Sequence, residues 1–134
     1  MKQISVFVEN KGGSIAGVIE ILSNNNINLQ ALSIADTSDY GIMRLIVDNP
    51  DKALAVLREY GTVVKCTEVI AVPIDDRPGG LSEILNILAG YNIFVSYIYA
   101  FVTPRQGSAV VVMKVDKTEE AIKCFANAGV PVIM

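Results

Sequence analysis

The 134-residue sequence predicts an α+β fold made of two tandem βαββαβ units, residues 1–67 and 68–134. Three observations predict it. First, Val6-Phe7-Val8-Glu9-Asn10-Lys11-Gly12-Gly13-Ser14-Ile15 lies over Val72-Pro73-Ile74-Asp75-Asp76-Arg77-Pro78-Gly79-Gly80-Leu81 without a gap, at an offset of 66 residues. Second, the hydrophobic period changes from two to 3.6 at the same place in each copy. Third, turn and helix-stop residues separate the periodic segments at matching positions.

The repeat continues along the chain. Ile21-Leu22 matches Ile87-Leu88, Asn26-Ile27 matches Asn92-Ile93, Thr37 matches Thr103 and Gly41 matches Gly107. A two-residue insertion then shifts the offset to 68, where Val47-Asp48 meets Val115-Asp116 and Gly61 meets Gly129.

Ile4 to Val8 alternates as a strand. Ile15, Val18, Ile19 and Leu22 follow at i, i+3, i+4 and i+7, which places four aliphatic side chains on one helical face, and Leu81, Ile84, Leu85 and Leu88 repeat the pattern. Leu29 to Ala35 and Ile42 to Val47 flank a turn-rich segment, Asp36 to Gly41, that predicts a hairpin; Thr103-Pro104-Arg105-Gln106-Gly107 predicts its counterpart. Asn49-Pro50 supplies a helix cap and a first helical residue, with Gly61 as the stop. The last helix is expected from Thr118, with Glu119 and Glu120 favourable to its dipole, up to Gly129.

Right-handed crossovers would put both helices of each unit on one face of a four-stranded antiparallel sheet, the ferredoxin-like arrangement. The other face would be apolar, with Leu32, Ile34, Tyr97 and Tyr99 candidates for it depending on register, so the two units are expected to pack as a pseudo-dimer. Lys65 to Glu68 contains no flexible tether. Pro73 falls where a central strand is expected, which requires that pairing has ended there or is bulged.

Composition narrows the function classes. A hydrophobic fraction of 51% against 19% charged residues describes a chain with a core to bury, not a disordered one. A net charge of -3 opposes the clustered Lys and Arg that nucleic-acid binding needs. No secretory signal or long apolar run is visible, so a soluble, cytoplasmic protein without membrane contact is expected. Cys66 and Cys124 are expected to be buried free thiols. Histidine is absent, which removes the commonest general base and metal ligand. Asp36, Asp39, Asp48 and Asp51 read as scattered turn and cap carboxylates without calcium-loop spacing. We therefore expect no catalytic residue, metal or cofactor.

The stretch Asp76-Arg77-Pro78-Gly79-Gly80-Leu81, between a first strand and a first helix, resembles the D/N-x-P-G-x-L pattern of the amino-acid-binding ACT domain, and the resemblance spans the whole chain twice. The first copy, Asn10 to Ile15, departs from the pattern in having Gly12 where the second has Pro78. The family's regulatory modules serve enzymes such as 3-phosphoglycerate dehydrogenase and aspartokinase. The resemblance implies an effector held between two units by the strand-to-helix loop of one and the start of the second strand of the other. Carried over, the ligand-binding residues are Asn10, Gly12, Gly13, Ser14 and Ile15 with Asp76, Pro78, Gly79, Gly80 and Leu81 for the loops. Asn28-Leu29 and Phe94-Val95 are the strand positions; Asp76 is expected opposite Asn28-Leu29, and Asn10 opposite Phe94-Val95.

A free amino acid presents a carboxylate and an ammonium on one carbon. Unsatisfied amides in the helix turn after Gly13 or Gly79 suit the carboxylate. Asp76 accepts from the ammonium with charge assistance, Asn10 and Asn28 as neutral amides, so the Asp76 site is expected to bind more tightly. Plainer readings stand beside these. Asp76 and Asn10 could be helix caps only, the glycine pairs could serve only a tight turn, and Asn24-Asn25-Asn26 could simply end a helix. Neither glycine pair has nucleotide-loop spacing. The function expected is a non-catalytic amino-acid sensor regulating amino-acid metabolism, with a second copy of the chain or a regulated enzyme as partner. The alternative is an interaction or regulatory subunit that keeps the fold without the ligand.

Overall fold

The computed structural model describes residues 1–9, 12–36, 39–101 and 108–133. The chain divides into two compact units, an N-terminal one of Lys2–Thr67 and a C-terminal one of Glu68–Met134 together with Met1. Asn10 and the tips of both expected hairpins, Thr37-Ser38 and Thr103 to Gly107, lie outside the described residues.

The N-terminal unit runs β1 (Lys2–Glu9), α1 (Ser14–Asn24), β2 (Leu29–Asp36), β3 (Tyr40–Val47), α2 (Pro50–Glu59) and β4 (Val63–Glu68). Its strands are ordered β2-β3-β1-β4, with both neighbours of β3 antiparallel to it. Pairing of Ile4 with Leu45 and Val6 with Met43 sets these residues on one face. There they pack with Val18 and Leu22 of α1 and with Ala53, Leu54 and Leu57 of α2. Asn49 caps α2 by accepting from the Lys52 amide at 3.2 Å, with Pro50 next in line, as expected.

The C-terminal unit runs β5 (Ile70–Asp75), α3 (Gly80–Gly90), β6 (Val95–Ala100), β7 (Ser108–Val115) and α4 (Thr118–Asn127). Its core joins Ile70, Val72, Val111, Met113 and Val115 to Ile84 and Leu88 of α3 and to Ala121, Cys124 and Phe125 of α4. The strand order is β5-β7-β6. The expected fourth strand is reduced to a single bridge from Ile133 to Ala71, whose carbonyl accepts from the Ile133 amide at 2.7 Å. Pro131 explains the reduction, since it has no N–H to give to a ladder.

The same geometry accommodates Pro73. Successive residues of a strand point their backbone groups to opposite edges, so Pro73, two residues from Ala71, turns its nitrogen away from β7. Its missing N–H faces the side where, among the described residues, only Ala71 is paired. No bulge is needed.

Three expectations need correction. The repeat offset aligns Leu32 with Ile98, not with Tyr97, and the registers follow it: Leu32 pairs with Leu45 and Ile34 with Met43, on the helix-covered face. Tyr97 and Tyr99, opposite Lys114 and Val112, lie on the other face as expected. The helical stripes differ in part. Val18, Ile19 and Leu22 face the core as expected, joined by Ile21, and Ile84 and Leu88 do so joined by Ile87, while Ile15 and Leu81 are 41% and 38% exposed. Finally, Cys124 is a buried free thiol but Cys66, on the edge strand β4, is exposed. Among the described residues no helix is long and apolar enough to cross a membrane.

Candidate functional site

The loop between β5 and α3 explains its own sequence. The Gly80 amide donates to the Arg77 carbonyl at 3.0 Å, closing a four-residue turn over Arg77-Pro78-Gly79-Gly80. Gly79 has φ 90° and ψ -11°, the third position of a type II turn, which disfavours any side chain; proline is the favoured residue just before it. Gly80 is needed for a different reason: a Cβ there would run into the Asp75 carbonyl oxygen, so the start of α3 lies directly against the end of β5. The P-G-G run is therefore accounted for by local backbone geometry without a ligand.

What the turn leaves available is more informative. Gly79, not Asp76, occupies the cap position of α3, and no side chain caps that helix. The cap reading of Asp76 is overturned. Asp76 is exposed, and among the described residues its carboxylate has no hydrogen-bond or ion-pair partner. The first helical bond is donated by Glu83 to the Gly79 carbonyl at 3.0 Å, and no backbone carbonyl of the described residues accepts from Leu81 or Ser82. A free carboxylate and two open first-turn amides thus lie on one loop, with the exposed Leu81 side chain beside them.

Arg77 was not among the residues singled out from the sequence. Its Nε donates to Asp75 Oδ2 at 3.3 Å, Nη1 to the Pro78 carbonyl at 3.3 Å and Nη2 to Glu83 Oε1 at 2.7 Å. The hydrogen bond and charge of Glu83, with a smaller effect from Asp75, hold the guanidinium above its ordinary pKa. Gly80, Asp75 and Glu83 also line a cleft of about 320 Å³ with Pro73, Ile74 and Ser108.

In the N-terminal unit Gly13 adopts φ 86° and ψ -11°, nearly the values of Gly79. Having Gly12 in place of proline leaves that conformation unchanged. Ser14 replaces Gly80, and the Gly17 amide donates to the Gly13 carbonyl at 2.9 Å. Asn10 and Lys11, the remaining polar residues of this loop, lie outside the described residues.

The strand positions share a symmetric lock. Asp48 Oδ1 accepts from the Asn28 amide at 3.0 Å and the Asp48 amide returns a bond to the Asn28 carbonyl at 3.1 Å. Asp116 and Phe94 repeat both distances. These two aspartates therefore fasten the start of β2 and β6, and the amides of Asn28 and Phe94 are already engaged. Two residues beyond Asn28 and Phe94, Gln30 and Ser96 are each the extra residue of a bulge. Asn28 and Leu29 line a pocket of about 420 Å³ with Ser23, Asn26 and Asp48. Phe94 is 67% exposed.

Within one unit the loop and the strand start cannot share a ligand. Asp75 pairs with Ser108 and Val95 with Val115, at opposite ends of β7, roughly 23 Å apart at about 3.3 Å per residue. The N-terminal unit has the same separation between Glu9, paired with Tyr40, and Leu29, paired with Val47.

No curated protein matches the chain. Among solved structures, a protein of Bacteroides thetaiotaomicron is similar at 35% identity and a TM-score of 0.93, over 98% of this chain and 90% of that one. The ligand-free regulatory subunit of aspartate kinase from Thermus thermophilus shares the fold at 17% identity, with a TM-score of 0.69 over 95% and 91% of the two chains. The corresponding subunit from Thermus flavus does so at 16% identity and a TM-score of 0.65, over 95% and 91%. The ACT domain pair family matches residues 1–131. With the repeat, the βαββα order and the strand-to-helix turns in place twice, the chain belongs to the ACT family as an ACT domain pair.

Proposed function

We propose that this ACT pair is a non-catalytic sensor that binds a free amino acid and through it regulates amino-acid metabolism in the cytoplasm. The observation that carries the reading is the Asp76 carboxylate, exposed and without a partner among the described residues, beside the open amides of Leu81 and Ser82. The carboxylate is matched to the ligand's ammonium, and the helix-start amides are matched to its carboxylate. Asp76, Pro78, Gly79, Gly80 and Leu81 form the stronger loop of this reading, and Asn10, Gly12, Gly13, Ser14 and Ile15 the weaker one, with a neutral amide in place of the carboxylate. Asn28-Leu29 and Phe94-Val95 contribute side chains and the backbone beyond the aspartate lock. The regulated partner is an enzyme carried on a separate chain, in the manner of the aspartate kinase regulatory subunits whose fold it shares.

A thermal-melt panel of the twenty amino acids tests this. A ligand at a hundred times its dissociation constant adds about 2.7 kcal/mol of stability. One amino acid, or a related few, is expected to raise the melt, and Asp76→Ala to remove more of that rise than a substitution at Asn10. Silence across the panel favours a second reading, a regulatory or interaction subunit without a ligand. That reading draws on the engaged amides of Asn28 and Phe94 and on glycines that local geometry already explains.

A further inference from the structure

The side chain of Arg77 spans the loop that carries Asp76. A lone exposed ion pair contributes little, because water and salt screen it and two side chains lose freedom. Arg77 differs in reaching three acceptors at once: Asp75 at the end of β5, the Pro78 carbonyl inside the turn, and Glu83 in the first turn of α3. The planar fork of donors suits such a task, since each contact fixes the direction of the others. Its acceptors lie on both sides of Asp76 in the chain, so the guanidinium ties the strand, the turn and the helix start into one piece while Asp76 itself stays unengaged.

The first repeat is not built to do this. At the positions of Arg77 and Glu83 it has Lys11 and Gly17. Lysine is a point charge on a flexible stem, and glycine offers no side chain to accept from it.

We propose that Arg77 is a positioning residue for the Asp76 site, a clamp with Asp75 and Glu83 that holds the turn in its binding conformation before a ligand arrives, and that the second repeat alone carries this device. The inference rests on the amino-acid-binding reading of the loop. A ligand then meets an ordered turn and does not have to select it from a mobile population; where the competent conformation is only partly populated, apparent affinity falls by that fraction.

The test uses the full chain and the variants Arg77→Met, Glu83→Ala and the double substitution. Amide hydrogen exchange at Arg77, Gly80 and Glu83, the donors whose bonds define the turn, is read without ligand. Binding is read with each of the twenty common amino acids singly. Each single variant is expected to speed exchange at these amides and to weaken binding by about two- to fivefold. The double variant is expected to lose no more than Arg77→Met alone, since that change already removes the contact with Glu83 together with those to Asp75 and Pro78. The gap between wild type and variants is expected to close at 1 M salt, where the screening length is about 3 Å. Unchanged exchange, or losses that add in the double variant, overturns the clamp. If the wild type binds none of the twenty, the sensor reading fails while the exchange result by itself upholds or overturns the clamp.

Discussion

Gly80→Ala is expected to destabilise the C-terminal unit by about 1–3 kcal/mol, the range for forcing extra volume into a well-packed place. The magnitude follows from what the new methyl group meets. A Cβ on Gly80 would lie against the Asp75 carbonyl oxygen, well inside van der Waals contact, and the Asp75 backbone nitrogen is near as well. Neither is the far end of a flexible side chain. Asp75 is held through its pairing with Ser108 and through its carbonyl, which accepts from the Arg77 amide at 2.9 Å, so relief requires α3 to move off the strand. Gly17→Ala is the matched control, because nothing lies within 4 Å of a Cβ built there and the residue is inside α1. Alanine is the better helix former by about 0.5–1 kcal/mol, so this variant is expected to gain stability. Urea unfolding followed by circular dichroism gives both signs in one experiment, and thermal melts are expected to move by about 3 °C per kcal/mol for a chain of this size. A neutral or stabilised Gly80→Ala protein would refute the close approach of helix and strand, and with it the structural explanation of the second glycine in the loop.

Other substitutions separate fold from function. Asp76→Ala is expected to leave the melt of the unliganded protein within about 0.5 kcal/mol of wild type, as for surface residues without special contacts. The same change abolishes or greatly reduces any amino-acid-dependent rise; a loss of stability without ligand would mean that the carboxylate has a structural partner. Asn49→Ala removes the cap on the Lys52 amide and is expected to cost about 1 kcal/mol, measured by urea unfolding. Asp48→Ala and Asp116→Ala each free one amide at a strand start and are expected to cost about 1 kcal/mol apiece, with effects that add because they lie in different units. Markedly unequal costs would show that the two locks are not equivalent.

Much of the fold was legible because the repeat and the hydrophobic period point to the same elements. Period two in Ile4 to Val8 and period 3.6 after Ile15 and Leu81 identify β1, α1 and α3, and Asn49-Pro50 and Gly61 delimit α2. The rest depends on quantities a linear pattern does not contain. Periodicity cannot tell where along a stripe the core contact begins, and Ile15 and Leu81 are exposed where a core face was expected. The collapse of the last strand had a visible signal in Pro131, as did the facing of Leu32 in its alignment with Ile98. The Arg77 clamp had none, because it joins residues two and six apart through a turn whose shape comes from Pro78 and Gly79. The aspartate locks were half legible: Asp48 and Asp116 align in the repeat, but their partners 20 and 22 residues back emerge only from the strand pairing.

Comparing the two repeats separates architecture from chemistry. Where they agree, the agreement is structural: a left-handed glycine before each first helix, a positive φ at Asn26 and at Asn92, an aspartate lock on each second strand, and one bulge just beyond it. They also differ at the candidate site. Lys11, Ser14, Gly17 and Asn28 in one unit stand against Arg77, Gly80, Glu83 and Phe94 in the other. On the function proposed above, these differences give the two loops different duties, one clamped and carboxylate-bearing and one with a neutral amide. Exchanging residues between the loops tests it: moving Arg77 and Glu83 into the first repeat, as Lys11→Arg with Gly17→Glu, is expected to slow exchange at the amide of position 17, which bonds to the Gly13 carbonyl, and to tighten ligand binding at the weaker loop. No change in either would show that the divergence between the repeats does not set their affinities.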